Sequence, residues 1–108
     1  EDLTGDVHLT LLVSSEDVLG YCLYKVRDQE RALWVEQIAV SEYLRGKGLG
    51  RDLMRWARAR AEAAGCTSLR LNSRNRALGF YTQLGFSVLA DATSPGCRTM
   101  ELRLPSAA

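Results

Sequence analysis

The 108-residue chain holds a single histidine, His8, and its three cysteines, Cys22, Cys66 and Cys97, are scattered and odd in number. One imidazole cannot build a histidine-based metal site. Without a C-x-x-C pair the thiols outline neither a zinc site nor a disulfide framework. No metal is therefore expected. Charge of one sign is lacking too: 14 Lys and Arg against 13 Asp and Glu leave a formal +1, so no net field points to nucleic acid or a membrane. No apolar run approaches the ~20 residues that span a bilayer, and no signal peptide is visible. Repeats, linkers and low-complexity tracts are missing as well. With 46% apolar residues, one modest domain over residues 1–108 is expected, in a reduced, cytoplasmic setting. The chain opens on Glu1 rather than methionine, so processing or an absent N-terminal segment has to be allowed for.

Patterning fills in the elements. Residues 7–13, 19–26 and 32–40 read as three strands joined by short polar connections, Ser14 to Asp17 and Arg27 to Glu30, which predicts an antiparallel meander. From Leu49 the period changes. Leu49, Leu53, Ala57, Ala61 and Ala64 recur at helical spacing, with Met54 and Trp56 beside them, and Gly65 stands where a helix stops. Residues 68–72 predict a fourth strand, parallel to the third because a helix separates them. Residues 76–84 predict a second helix ended by Gly85. Residues 86–89 and 99–104 then close the fold as a hairpin around Ser94-Pro95-Gly96.

The densest signal lies between the third strand and the first helix, in Arg45-Gly46-Lys47-Gly48-Leu49-Gly50-Arg51. Three glycines there let backbone approach a ligand closely. The first-turn N–H groups have no intrahelical carbonyl and face outward at the positive end of the helix dipole. With Arg45, Lys47 and Arg51 added, the stretch reads as a pyrophosphate cradle. It is neither G-x-x-x-x-G-K-[ST] nor G-x-G-x-x-G, so nucleoside triphosphatase and dinucleotide fingerprints are excluded. Arg51, Arg55, Arg58 and Arg60 crowd the helix. They form either a solvated face or a surface meeting the anionic end of a cofactor, with Arg51 best placed for the second role.

The motif R-x-x-G-x-G, residues 45–50, directly follows a strand ending Glu36-Gln37-Ile38-Ala39-Val40. Some thirty residues on stands Phe80-Tyr81-Thr82-Gln83-Leu84-Gly85-Phe86. Together they resemble the GNAT superfamily of acyl-CoA-dependent N-acyltransferases. The resemblance implies a mixed α/β fold: a mostly antiparallel sheet with one splayed parallel strand pair and two flanking helices, the family's N-terminal helices being short or absent here. It implies acetyl-CoA as co-substrate, with its pantetheine arm along the main chain of Ile38, Ala39 and Val40 and its pyrophosphate on residues 45–51. It also implies that Tyr81 protonates the departing thiolate.

Glu36 is the second titratable candidate. On a period-two strand it shares a face with Trp34, Ile38 and Val40, and several members of the family carry an acid there that holds the acceptor amine or relays its proton. Members often show N-x-x-A before the F-Y pair, whereas here Arg74 stands three positions before Ala77 and Asn75 two; the expected cofactor contact is Asn75, with Arg74 as the alternative. Only residues 1–6 precede the first strand, where the family usually has helices that build the acceptor pocket. A minimal member, a site completed by a partner and a missing N-terminal part all fit. The expected activity is direct acetyl transfer to a primary amine of a small molecule or peptide, with an acyl-CoA-binding sensor or subunit as the alternative. The exposed first strand is compatible with a homodimer.

Overall fold

A computed structural model describes residues 7–44, 46–91 and 95–105. Six strands form one sheet: β1 (Val7–Ser14), β2 (Asp17–Arg27), β3 (Ala32–Val40), β4 (Ser68–Arg74), β5 (Ser87–Asp91) and β6 (Cys97–Arg103), in the order β1-β2-β3-β4-β6-β5. Every neighbouring pair is antiparallel except β3 and β4. Helix α1 (Leu49–Ala63) makes the crossover between them, and α2 (Leu78–Gln83) joins β4 to β5. The expected meander and parallel pair are both present. β6, the last strand in the chain, lies between β4 and β5.

α1 lies against β2, β3 and β4. Its buried residues Leu53, Met54, Ala57 and Ala61 meet Cys22, Tyr24, Leu33, Val35, Leu69, Leu71 and Met100 of the sheet. Burying a leucine such as Leu53 contributes roughly 1.5–3 kcal/mol. Ala64 is exposed and Leu49 only half-buried, so the apolar stripe is narrower than its periodicity implied. Gly65, at φ +79°, ends the helix. Its N–H donates to Glu62 O (3.1 Å) and that of Cys66 to Ala61 O (2.9 Å), the paired bonds of a Schellman cap.

Two features of β3 shape the site. The first is a bulge: Tyr24 faces Val35 and Leu23 faces Gln37, which leaves Glu36 without a partner across β2. Ile38 and Val40 therefore sit opposite Cys22 and Gly20, on the same face as Leu33 and Val35, and pack against the core. The face predicted for Glu36, shared with Ile38 and Val40, is corrected: the extra residue reverses the alternation at that point.

The second feature is a splay. Parallel pairing runs only from Ala32↔Ser68 to Val35↔Leu71, while β3 continues to Val40 and β4 to Arg74. Polar residues clamp the closed end on the sheet face away from α1. Trp34 and Arg70 are cross-strand partners. Glu30 accepts from Trp34 Nε1 (2.9 Å), and Arg70 Nε donates to Glu101 Oε2 (3.0 Å). The Trp34 hydrogen bond, helped by Arg27 and Arg70, holds the Glu30 carboxyl below its ordinary value. At the sheet edge, Thr10 and Leu12 of β1 are half-buried and His8 stacks on Tyr24 at 5.2 Å; Val7, Leu9, Leu11 and Val13 are exposed.

Candidate functional site

The splay opens beside the glycine loop. After a short 3-10 turn, Glu42–Leu44, Gly46 (φ +83°) and Gly48 (φ +84°) take left-handed backbone that side-chain-bearing residues adopt only with strain. A β-carbon at either would meet nothing within 4 Å. The glycines are thus required by conformation, and they leave bare backbone facing open space. Gly48 is the N-cap of α1, and no side chain caps that end. The first helical bond runs from Asp52 N–H to Gly48 O (3.0 Å). The N–H groups of Leu49, Gly50 and Arg51 precede it, so the helix itself supplies them no acceptor. Asp52 also lies in this first turn, its carboxylate 3.8 Å from Arg55.

A cleft of about 490 Å³ covers this end, lined by Val40, Leu44, Gly46, Gly48, Leu49, Gly50, Arg51 and Phe80. It unites the end of β3, the loop and α2, and most of the predicted cradle faces it. Lys47 is exposed just outside that lining. Arg45 lies outside the described residues, as does Ser94 of the predicted hairpin turn. Ile38 and Ala39 are half-buried and belong to the stretch of β3 beyond the last β4 partner. Their main-chain groups on that side are not paired by β4. An extended amide-bearing ligand can take the place of the missing strand.

Leu44 and Phe80 line the cleft although neither was singled out from sequence. Phe80 Cζ lies 3.4 Å from the position of a β-carbon on Gly50, and 41% of Phe80 is exposed. An aromatic side chain left in water beside bare backbone offers an apolar surface to a ligand. Its place next to Tyr81 in the F-Y pair was the available signal.

Tyr81 is half-buried in α2, packed against the core cluster, with ring contacts to Phe80 (5.1 Å) and Phe86 (5.8 Å). Burial, with a smaller contribution from the Cys22 thiol, pushes its phenol above the ordinary value of 10. It stays protonated at neutral pH and can donate that proton. Cys22 is fully buried and its thiol is pushed up to about 11 by burial, which leaves too little thiolate for a nucleophile.

Glu36 is exposed at the bulge, on the open stretch of β3 and outside the lining of the glycine-loop cleft. Asn75 opens a 3-10 turn, Asn75–Ala77, that replaces the start of the predicted second helix. β4 runs to Arg74, two residues past its predicted end at 72, and so shortens the connection. The Asn75 N–H donates to Gly96 O (3.0 Å), while its side chain is exposed and does not line the cleft. Among the described residues no group of three or more His, Cys, Asp or Glu is placed to hold a metal ion.

Comparison with known proteins bears on the family and the fold. The sequence profile of the Acetyltransferase (GNAT) family matches residues 1–86. Over 72 residues, 66% of the chain, the sequence is 40% identical to N-alpha-acetyltransferase 80 of Mus musculus, of which it spans 23%. The crystal structure of nourseothricin acetyltransferase superposes with a TM-score of 0.73 at 29% identity, covering 82% of this chain and 59% of that one. The PaiA N-acetyltransferase of Thermoplasma acidophilum, in complex with coenzyme A, gives 0.80 at 18% identity over 92% and 62%; at that identity the likeness concerns the fold alone.

Proposed function

Because this chain belongs to the acetyltransferase (GNAT) family, we propose that it moves the acetyl group of acetyl-CoA to an amine by direct transfer, both substrates being bound at once. The observation that carries the reading is the parting of β3 from β4 after Val35 and Leu71, next to an uncapped helix end made of side-chain-free backbone. An acyl-pantetheine diphosphate needs both features: a strand-like partner for its amides and converging donors for its phosphates.

In this reading the N–H groups of residues 46–51 hold the diphosphate, with Arg45, Lys47 and Arg51 adding charge. Ile38, Ala39 and Val40 bond the pantetheine amides, and one of their N–H groups polarises the thioester carbonyl. An amine arrives mostly protonated; Glu36, directly or through water, takes that proton. The free amine attacks the carbonyl carbon, a C–N bond forms and the C–S bond breaks. Tyr81 passes its proton to the departing sulfur, and the proton that the acylated nitrogen sheds returns the phenolate to its neutral form. Holding both reactants in one cleft supplies much of the acceleration. Asn75, with its exposed side chain, is a peripheral donor to the cofactor at most.

For the acceptor, the name of the mouse relative directs the first trial to α-amino groups. The test is thiol release from acetyl-CoA with peptide N-termini, polyamines and aminoglycosides, beside calorimetry with coenzyme A. Binding and turnover with at least one amine are expected. No heat and no turnover would sink the reading, and heat without turnover would leave a CoA-binding module in its place.

A further inference from the structure

Where β3 and β4 part, only a short pairing lies behind them, Ala32–Val35 against Ser68–Leu71. Leu33, Val35, Leu69 and Leu71 of that pairing are buried in the core. On the opposite face a polar network crosses the same rungs. Trp34 and Arg70 are partners on the next-to-last one. Glu30 Oε1 accepts from Trp34 Nε1 (2.9 Å) and from Arg70 Nη1 (3.5 Å), while Arg70 Nε donates to Glu101 Oε2 (3.0 Å). Arg27 donates to Glu30 Oε2 at 3.3 Å and lies over the Trp34 ring at 5.0 Å. These links join β2, the turn after it, β3, β4 and β6. Only 10% of the Glu101 side chain is exposed, so water does not readily replace Arg70 there, as it does at a fully solvated pair. A planar fork with donors in fixed directions spans both carboxylates, which a point charge cannot do.

We infer that Arg70 is a positioning residue for the acyl donor: by bridging Glu30 and Glu101 it fixes the angle at which β3 leaves β4. This role presupposes the one proposed for the open stretch of β3, which bonds the amides of the pantetheine arm. Ile38 lies four residues beyond Trp34, about 13 Å along the strand. A change of about 10° in the parting angle moves it by about 2 Å, whereas the N–H···O distances of hydrogen bonds span about 0.5 Å. The helix end assigned to the diphosphate is held separately, by Leu53, Met54, Ala57 and Ala61 in the core. Loss of the bridge therefore reaches the arm and spares the nucleotide end.

Calorimetry tests this on wild type, Arg70→Met and Glu30→Ala, with two probes: coenzyme A, and 3′-phospho-ADP, which is coenzyme A without its pantetheine arm. The urea midpoint of each protein is measured alongside. Glu30 is part-exposed in its turn, and its loss leaves the Arg70–Glu101 pair intact, so this variant carries the test should Arg70→Met not fold. Both variants are expected to bind coenzyme A about three- to tenfold more weakly, with the affinity for 3′-phospho-ADP held within about twofold. A lowered urea midpoint with both affinities unchanged makes the network a stabilising one only and overturns the inference. Equal losses for the two probes mean that the whole cleft is damaged, which overturns it as well. Either result leaves the acetyltransferase reading standing; failure of wild type to bind coenzyme A at all removes both.

Discussion

The ring of Phe86 meets that of Tyr81 edge-on, centroids 5.8 Å apart, and the Phe86 N–H donates to the Tyr81 carbonyl at 3.1 Å. With Gly85 N–H on Thr82 O (3.0 Å) and Gly85 at φ +103°, this is again a Schellman end, complete with its apolar contact. The spacing Y-x-x-x-G-F is thereby explained: the glycine turns the chain, and the second aromatic pins the tyrosine's helix to the sheet. A β-carbon at Gly85 would stand 3.2 Å from Leu102 Cδ1. Gly85→Ala is expected to cost about 1–3 kcal/mol, from strain at that φ, and to lower the urea midpoint accordingly. An unchanged midpoint would mean that this turn does not hold α2.

Tyr81→Phe keeps both ring contacts and removes only the hydroxyl. Loss of a general acid lowers kcat by about 10²–10⁴-fold, while the affinity for coenzyme A should hold. The pH profile gives a second check. Burial disfavours the phenolate, so the phenol's pKa lies above 10 and the donating form persists below it. Any decline in turnover attributable to this group should therefore set in at higher pH than for an ordinary phenol. A descending limb at lower pH that vanishes in Tyr81→Phe would contradict the direction of the shift.

Gly48 and Gly50 look alike in the motif but differ physically. At Gly48 the backbone has φ +84°, and an alanine there costs roughly 1–2 kcal/mol and tilts the first-turn donors. Gly50 lies inside α1, where alanine is the better helix former by about 1 kcal/mol, and its methyl would reach Phe80 at 3.4 Å, an ordinary contact. Gly48→Ala should lower the urea midpoint and weaken coenzyme A binding, whereas Gly50→Ala should leave stability unchanged or raised. Equal losses from the two would refute the role assigned to the left-handed turn.

The sequence made the frame legible wherever one element decides for itself. Residues 32–40 and the helix from Leu49 announce themselves by period and by the glycine that ends α1, and the strands and α1 came out within two residues or so of their predicted bounds. The bulge was hidden because it belongs to a pair: only Leu23 and Tyr24 facing Gln37 and Val35 reveal Glu36 as the extra residue. For Phe80 the F-Y pair was the sole signal, since its approach to Gly50 depends on how the Asn75–Ala77 turn aims α2. The arginine face of α1 needed Gln83 and Leu102 from other elements before it could be told from a solvated one: Arg51, Arg55 and Arg58 line a recess with them.

The cysteines separate direct transfer from a covalent intermediate. At pH 8, a thiol titrating at about 11 is thiolate in about one molecule per thousand, and the Cys22 side chain is fully buried. Cys66 is buried and shifted upward in the same direction, chiefly by burial, while Cys97 is half-buried. Native-state alkylation should therefore mark Cys97 first and Cys22 last. Cys22→Ala removes one sulfur from the core, at a cost of about 1–2 kcal/mol, and leaves the acid, the cradle and the open strand in place. Its turnover should stay near wild type once folded protein is counted. A collapse as large as that expected of Tyr81→Phe, with coenzyme A still bound, would make the thiol the acyl carrier and end the direct-transfer account.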